Sequence, residues 1–270
     1  MYQVGDSPMM PAVNPDISNT ASPRRRGVYL LPNLLTTGCL FSGFYSIVAA
    51  IDRNFAVAGG AVFIALLFDG VDGRVARWTK TESSFGKEFD SLADMVAFGL
   101  APAVLVYQWG VVRIGEYGQE WRQFGWIIAF FYALCAALRL ARFNVITSTS
   151  DKRYFQGLAS PSAAATVAAF VWFFSKWREP GLPGLILAFA ITGYAAALMV
   201  SSFSYLSLKG VEVTARIKYS YIAFVIGPLL IGIAVDPPTM LFAMFVSYAT
   251  YGPVTWLVRK LRRSRAAGAK

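Results

Sequence analysis

The 270-residue chain has no histidine, only two cysteines and few charged residues. Without histidine, the sequence lacks the commonest ligand of zinc and of many transition-metal sites. Cys39 and Cys135 lie within apolar stretches and have no partner at metal-ligand spacing, which indicates small core residues rather than a disulfide. Only 15% of the residues are charged, whereas 56% are hydrophobic. This composition excludes an ordinary soluble domain.

Long hydrophobic runs dominate the chain, and each is close to the roughly 20 residues that a transmembrane helix needs. We therefore expect an all-α, polytopic membrane bundle of about eight transmembrane helices. The runs occupy residues 31–51, 56–77, 91–112, 123–143, 158–177, 182–206, 219–235 and 239–258.

The net charge of +10 is distributed unevenly between the segments that connect these runs. If the N-terminus is cytoplasmic, twenty of the 25 lysine and arginine residues lie on the cytoplasmic side. This asymmetry predicts that both termini are cytoplasmic, with the protein in a bacterial cytoplasmic membrane. The excess charge is suited to anionic headgroups, and since no RNA-binding motif accompanies it, nucleic acid is not an expected partner.

Three segments are expected along the chain. Residues 1–27 are rich in proline, serine, asparagine and aspartate, which predicts a disordered cytoplasmic tail without a cleavable signal peptide. Residues 28–258 form the predicted transmembrane domain, and residues 259–270 form a basic cytoplasmic tail.

Four aspartates stand at the ends of the second and third apolar runs, where charge is costly and usually functional. Asp69 and Asp72 are three residues apart, and Asp90 and Asp94 are four apart, so each pair shares one helix face. If the two helices are antiparallel and joined by a short loop, the two acidic faces converge.

Converging carboxylates repel one another, so a cation is needed to stabilise the cluster. Ligation by oxygen alone favours Mg²⁺ or Mn²⁺ over zinc. We therefore expect two divalent ions among Asp69, Asp72, Asp90 and Asp94, and such ions lie about 3.5–4 Å apart in phosphoryl-transfer sites.

Small residues accompany the acids at helical spacing. Gly73 and Ala76 follow Asp69 by four and seven residues, and Gly86 precedes Asp90 by four. They leave room for a large ligand to approach the backbone, and Arg77 adds a planar donor suited to phosphate oxygens. The predicted ligand is anionic and metal-chelating, such as a nucleotide diphosphate.

The motif as a whole, Asp69-x2-Asp72-Gly73-x2-Ala76-Arg77-x8-Gly86-x3-Asp90-x3-Asp94, resembles the signature of the CDP-alcohol phosphotransferases, membrane enzymes of phospholipid synthesis. The resemblance implies that the first three aspartates bind the metals and that Asp94 is the general base. It also implies that Gly73, Ala76, Arg77 and Gly86 line the CDP site, and that the enzyme is a homodimer.

Further polar residues have two open interpretations each. Asn33 either caps the first helix or, with Thr36, binds the nucleotide. Arg139 and Arg142 either contact headgroups or grip an anionic group of the substrate, since arginine offers bidentate recognition.

The segments R-L-A-R-F-N at 139–144 and G-L-A-S-P-S-A-A at 157–164 resemble the phosphatidylserine synthase branch of the family, with Ala159 in place of an expected proline. By this resemblance Arg139, Arg142, Asn144 and Ser160 are candidates for a serine pocket. The reaction implied is transfer of a phosphatidyl group from CDP-diacylglycerol to L-serine. Glycerol phosphate, inositol phosphate and choline stay open as acceptors, and a divalent-cation transporter is the alternative in another class.

Overall fold

The computed structural model describes residues 30–79, 83–114, 118–146, 155–176, 181–205 and 219–267. The predicted N-terminal tail and the basic loops around Lys152 and Arg216 lie outside these residues. Both cysteines lie within them and are free and buried.

The described residues form eight helical runs, near the eight places that hydropathy predicts. They are α1 (Leu30–Ile51), α2 (Phe55–Thr79), α3 (Ser84–Ile114), α4 (Gln119–Ile146), α5 (Ser160–Phe174), α6 (Gly181–Val200), α7 (Tyr219–Val235) and α8 (Pro237–Ala267). Apart from two strands of two residues each, β1 (Phe155–Gln156) and β2 (Ser204–Tyr205), the regular structure of these residues is helical.

Six of these helices are long and apolar enough to cross a membrane, so the predicted all-helical membrane class is confirmed. The count of eight spans stays a prediction. Helix α5 has 15 residues and α7 has 17. At 1.5 Å per residue, α5 reaches only about 22 Å, less than a hydrocarbon core of about 30 Å.

Helix α5 is short because it is the centre of the bundle. Ten of its 15 residues are buried, and it packs against α2, α3, α6 and α8. Its run of alanines lets neighbouring backbones approach closely. At Gly59 of α2, a Cβ atom would lie 3.1 Å from the Ala168 carbonyl oxygen of α5, so no larger residue fits there without a shift.

Helix α1 packs along α2 and also against α3. The approach to α3 depends on Gly43, where a Cβ atom would lie 2.6 Å from Cα of Ala97. This close contact brings the first turns of α1 to the same end of the bundle as the acidic turns of α2 and α3.

Helix α3 changes its winding directly after Asp94. Residues Met95–Leu100 are π-helical, and the Ala101 N–H donates to the Val96 carbonyl, five residues earlier. Pro102 has no N–H to offer to the Phe98 carbonyl, its partner in a regular α-helix. The buried hydroxyl of Tyr132 on α4 donates to that carbonyl at 3.1 Å, which fixes α4 against the irregular turn.

The opposite end of the bundle holds Arg53, Arg113 and Lys176, three of the five basic residues that the charge asymmetry assigns to the external side. The Arg113 guanidinium lies over the Phe55 ring, 5.5 Å from its centroid. Lys176 pairs with Asp236, the single residue between α7 and α8. Hydrogen bonds from Lys176 and Thr239 hold the pKa of Asp236 below its usual value, so this contact stabilises the fold at neutral pH and weakens as acid protonates the carboxylate.

The strands β1 and β2 form an antiparallel pair that joins the approach to α5 to the end of α6. Gly157 follows β1 with a φ angle of +82°, and a Cβ atom there would lie 2.5 Å from the Met199 carbonyl oxygen. We call residues 155–158 and 203–205 the clasp. At the far end of the chain, α8 continues to Ala267, so most of the predicted basic tail is helical.

We expect Tyr132→Phe to lower the free energy of unfolding by about 1–3 kcal/mol, because the buried Phe98 carbonyl loses its donor. Thermal unfolding in detergent micelles measures the change. Tyr45→Phe is the control, since Tyr45 is exposed on α1. Equal melting temperatures for the two variants would contradict the role assigned to the Tyr132 hydroxyl.

Candidate active site

Two helices bring three of the four aspartates together at one end of the bundle. Asp69 and Asp72 lie one turn apart on α2, and Asp90 lies on the second turn of α3. One carboxylate oxygen from each lies within 4.8 Å of the other two. Asp72 is 4% exposed, whereas Asp69 and Asp90 are half-buried. The cluster therefore opens to one side.

Asp94 lies one turn further along α3, immediately before the π-helical segment. Its Oδ1 atom is buried and has no hydrogen-bond partner among the described residues. Its carboxylate is repelled by Asp69, Asp90 and Asp72 and attracted by the guanidinium of Arg139. Asp94 is thus close enough to both the acidic cluster and the half-buried Arg139 to interact with each electrostatically.

Helix α1 supplies a polar contact to the cluster. The buried Thr36 hydroxyl lies 3.1 Å from Asp72 Oδ2, to which it donates, and 3.1 Å from the Pro32 carbonyl oxygen of its own helix. The role of Thr36 in nucleotide binding stays a prediction, and in this structure its hydroxyl orients a carboxylate. Such a contact fixes the direction in which a metal-binding carboxylate points.

The donor set fits hard divalent cations. Asp69, Asp72, Asp90 and Asp94 form no ion pair with lysine or arginine within the described part of the chain. Three carboxylates at this spacing, with a buried and unpaired fourth nearby, leave strong repulsion that a cation would relieve. Oxygen-only donors are those that Mg²⁺ and Mn²⁺ prefer. The cluster could therefore hold a metal ion.

Two of the predicted nucleotide residues, Gly73 and Gly86, lie within about one helical turn of the aspartates on α2 and α3. Gly73 is exposed, and a Cβ atom there would meet nothing within 4 Å. At Gly86 a Cβ atom would lie 3.6 Å from Asn33 Oδ1, so α1 and α3 meet at this glycine. Asn33 is the fourth residue of α1, so it does not cap that helix.

The other two predicted nucleotide residues lie further along α2. Ala76 is half-buried, and Arg77 is exposed. The Arg77 Nε–H donates to the Gly73 carbonyl at 2.7 Å, so the side chain lies back along its own helix toward the glycine.

Of the four residues that are predicted to bind the acceptor, two are hydrogen-bonded to each other. The Arg139 Nη1–H donates to Ser160 Oγ at 2.9 Å, which links α4 to the first residue of α5. The Arg139 Nε atom is buried and has no partner among the described residues. Asn144 instead donates to Ser91 Oγ at 3.0 Å, and the Arg142 side chain is exposed.

Several residues at this end were not found from the sequence. Ser83 caps α3, because its Oγ accepts a hydrogen bond from the Gly86 N–H at 2.9 Å. Ser91 lies between Asp90 and Asp94 in the sequence, and its Oγ accepts a hydrogen bond from the Asn144 side chain. The capping serine lies three residues before Gly86, a spacing that identifies helix starts. Tyr248 of α8 interacts electrostatically with Arg139, and nothing in the local sequence indicates this.

Fold and site together define a membrane-embedded protein with a carboxylate cluster that suits metal-dependent chemistry on an anionic ligand. The family model described as CDP-alcohol phosphatidyltransferase matches residues 29–201, and the chain belongs to this family. The match contains all the site residues described above except Tyr248.

Relatives over most of the chain carry similar names. A CDP-diacylglycerol–serine O-phosphatidyltransferase of Helicobacter pylori is 35% identical over 233 residues, 85% of this chain and 92% of the relative. A protein of the same name from Mycobacterium tuberculosis is 28% identical over 85% of this chain and 79% of its own length. An archaetidylserine synthase of Methanothermobacter thermautotrophicus is 35% identical over 67% and 71% respectively.

We expect Thr36→Val to weaken Mn²⁺ binding by about 10- to 100-fold, because Asp72 loses the contact that orients it. Mn²⁺ binding to the protein in detergent, followed by electron paramagnetic resonance of the free ion, measures this without any turnover. Thr37→Val is the matched control, since the Thr37 hydroxyl donates to the Asn33 carbonyl of its own helix. Equal Mn²⁺ affinity in both variants would show that the contact has no part in metal binding.

Proposed function

We propose that this protein transfers the phosphatidyl group from CDP-diacylglycerol to L-serine, giving phosphatidylserine and CMP. The observation that carries the proposal is the position of Asp94, which interacts electrostatically both with the carboxylate cluster and with Arg139 of the Arg139–Ser160 pair. The carboxylate cluster suits a metal-bound diphosphate, and the Arg139–Ser160 pair suits a small acceptor with one negative charge. The names of the relatives support the same pair of substrates.

Asp69, Asp72 and Asp90 would hold two Mg²⁺ or Mn²⁺ ions, with Asp94 at the edge of the same site. When bound, the ions would offset negative charge on the diphosphate and on the departing CMP. Thr36 keeps Asp72 in place. Gly73 leaves space beside the acids. Asn33, Ala76, Arg77 and Gly86 would complete the CDP site.

Asp94 accepts the proton of the serine hydroxyl as that oxygen attacks the phosphorus bearing diacylglycerol. A new P–O bond forms to serine, and the P–O bond to CMP breaks. The buried Oδ1 atom has no hydrogen-bond partner within the described part of the chain, so no described donor competes for its lone pairs. Because an ordinary carboxylate is a weak base, alignment of the two substrates has to supply much of the acceleration.

Arg139 binds the carboxylate of serine. A guanidinium has five N–H donors in a planar fork, and the described residues use one of them, at Ser160. The attraction between Arg139 and Asp94 keeps the acceptor site beside the base. Asn144 and Arg142 lie along the same turns of α4 and would border the entrance.

The proposed orientation places the active site and both termini at the cytoplasmic face of a bacterial membrane, with α5 and α7 completing eight spans. Acyl chains then stay in the bilayer while serine enters from the water. Arg113 and Lys176, which the charge asymmetry assigns to the external side, lie at the end opposite to the aspartates, which supports this arrangement. By resemblance to the family, the protein would function as a homodimer.

The direct test measures CMP release and labelled lipid with purified protein, CDP-diacylglycerol, Mg²⁺ or Mn²⁺ and one acceptor at a time. We expect product with L-serine and none with glycerol phosphate, inositol phosphate or choline, because Arg139 matches a single carboxylate. Chelation of the divalent ions should stop the reaction. A lipid product from another acceptor alone would overturn the assignment of serine, and flux of Mn²⁺ into proteoliposomes without CMP release would favour the transporter.

We expect Asp94→Asn to lower turnover by a factor of about 10²–10⁴, since the amide cannot accept the hydroxyl proton. Binding of CDP-diacylglycerol should change little. Glu88→Gln on the same helix is the control, because Glu88 is exposed and has no role in the site. Turnover in Asp94→Asn that equals the Glu88→Gln value would rule out the proposed base.

A further inference from the structure

Helix α8 lies outside the family-matched residues 29–201, yet it reaches the acceptor end of the site. It packs along α5, the helix that begins with Ser160. Tyr248 lies on α8 beside the clasp, where its ring packs against that of Tyr205 with centroids 5.6 Å apart, and it is close enough to the half-buried Arg139 to interact with it electrostatically. The Arg139 cation on α4 therefore interacts with one side chain from α5 and one from α8.

The Tyr248 hydroxyl is available to a ligand. The Tyr132 and Tyr205 hydroxyls donate to backbone carbonyls, at 3.1 Å and 3.0 Å. Among the residues that the structure describes, nothing donates to or accepts from the Tyr248 hydroxyl. Its side chain is half-buried, and the Arg139 guanidinium with which it interacts electrostatically has a buried Nε without a partner among the described residues.

Tyr248 is held in place by the clasp. The Tyr205 hydroxyl donates to the Ala249 carbonyl, and the Tyr205 and Tyr248 rings pack with centroids 5.6 Å apart. Gly252 admits the Tyr205 ring, because a Cβ atom there would lie 2.4 Å from Cζ of Tyr205. The other strand of the clasp leads through Gly157 to Ser160. The clasp thus helps to position Tyr248 and Ser160, which both interact with Arg139.

The charge of this pocket indicates its ligand. One half-buried guanidinium and one neutral phenol are balanced by a ligand group with a single negative charge. A phosphate monoester carries a charge of about −1.5 to −2 at neutral pH. Part of that negative charge would remain unneutralised next to the Asp94 carboxylate. A carboxylate has the matching charge, and it accepts hydrogen bonds from both groups.

We propose that Tyr248 is an acceptor-binding residue that selects for the carboxylate of the alcohol substrate. Its hydroxyl donates a hydrogen bond to the carboxylate that Arg139 binds, which holds the acceptor hydroxyl toward Asp94. The inference rests on the proposed transfer to serine. It assigns part of the acceptor specificity to α8, a helix beyond the residues that the family model matches.

The test is Tyr248→Phe in the full-length protein in detergent with CDP-diacylglycerol. We expect the KM for L-serine to rise roughly tenfold, the effect of one lost hydrogen bond. The KM for CDP-diacylglycerol, Mn²⁺ affinity and melting temperature should stay unchanged, because the hydroxyl has no partner in the described part of the chain. Tyr251→Phe on the same helix is the matched control, since Tyr251 is 39% exposed.

A rise in the serine KM alone would support the inference. An unchanged serine KM, or equal rises in both KM values, would overturn it, because the second pattern indicates a general loss of structure. If the unmodified protein releases no CMP with serine, the proposed function fails. A serine-dependent wild type with an unaffected Tyr248→Phe variant would instead remove only the role of Tyr248.

Discussion

The structure depends on one electrostatic constraint, which is that several carboxylates must be held close together at the end of an apolar bundle. One oxygen each from Asp69, Asp72 and Asp90 lies within 4.8 Å of the others, although each carboxylate repels its neighbours. Such repulsion is strong where water is scarce. The backbone must therefore be rigid enough to keep the helices together before any cation arrives. The tight packing of α1, α2, α3 and α5 supplies that rigidity.

Small residues make this packing possible, and they also explain the unusual parts of the fold. Gly43 brings α1 against α3, and Gly59 brings α2 against α5. The short α5 packs against five neighbouring helices, α2, α3, α4, α6 and α8. The π-helical turn after Asp94 is one of two places where α3 departs from regular α-helical hydrogen bonds, the other being Tyr107–Val111, and Tyr132 donates to a carbonyl of the first. π-Turns of this kind are frequent at functional sites.

The sequence predicted the helical membrane class and the convergence of Asp69, Asp72 and Asp90 because both depend on local periodicity. Hydropathy marks the helices, and spacings of three and four place acids on one face. The sequence did not predict that Thr36 orients Asp72, that Tyr132 donates to the Phe98 carbonyl or that Tyr248 interacts electrostatically with Arg139. These contacts join residues that are 34 or more positions apart. Local patterns carry no information about them.

The two sides of the proposed active site differ in how far apart their residues lie in the sequence. The cation and nucleotide side is built mainly from residues 69–94, which form one pair of adjacent helices and therefore a compact motif. The acceptor side takes Arg139, Ser160 and Tyr248 from α4, α5 and α8, so it depends on how the whole bundle packs. A change in the packing of α8 or of the clasp can alter the acceptor pocket while leaving the acidic turns in place. Acceptor choice can thus vary among proteins that keep the same acidic motif.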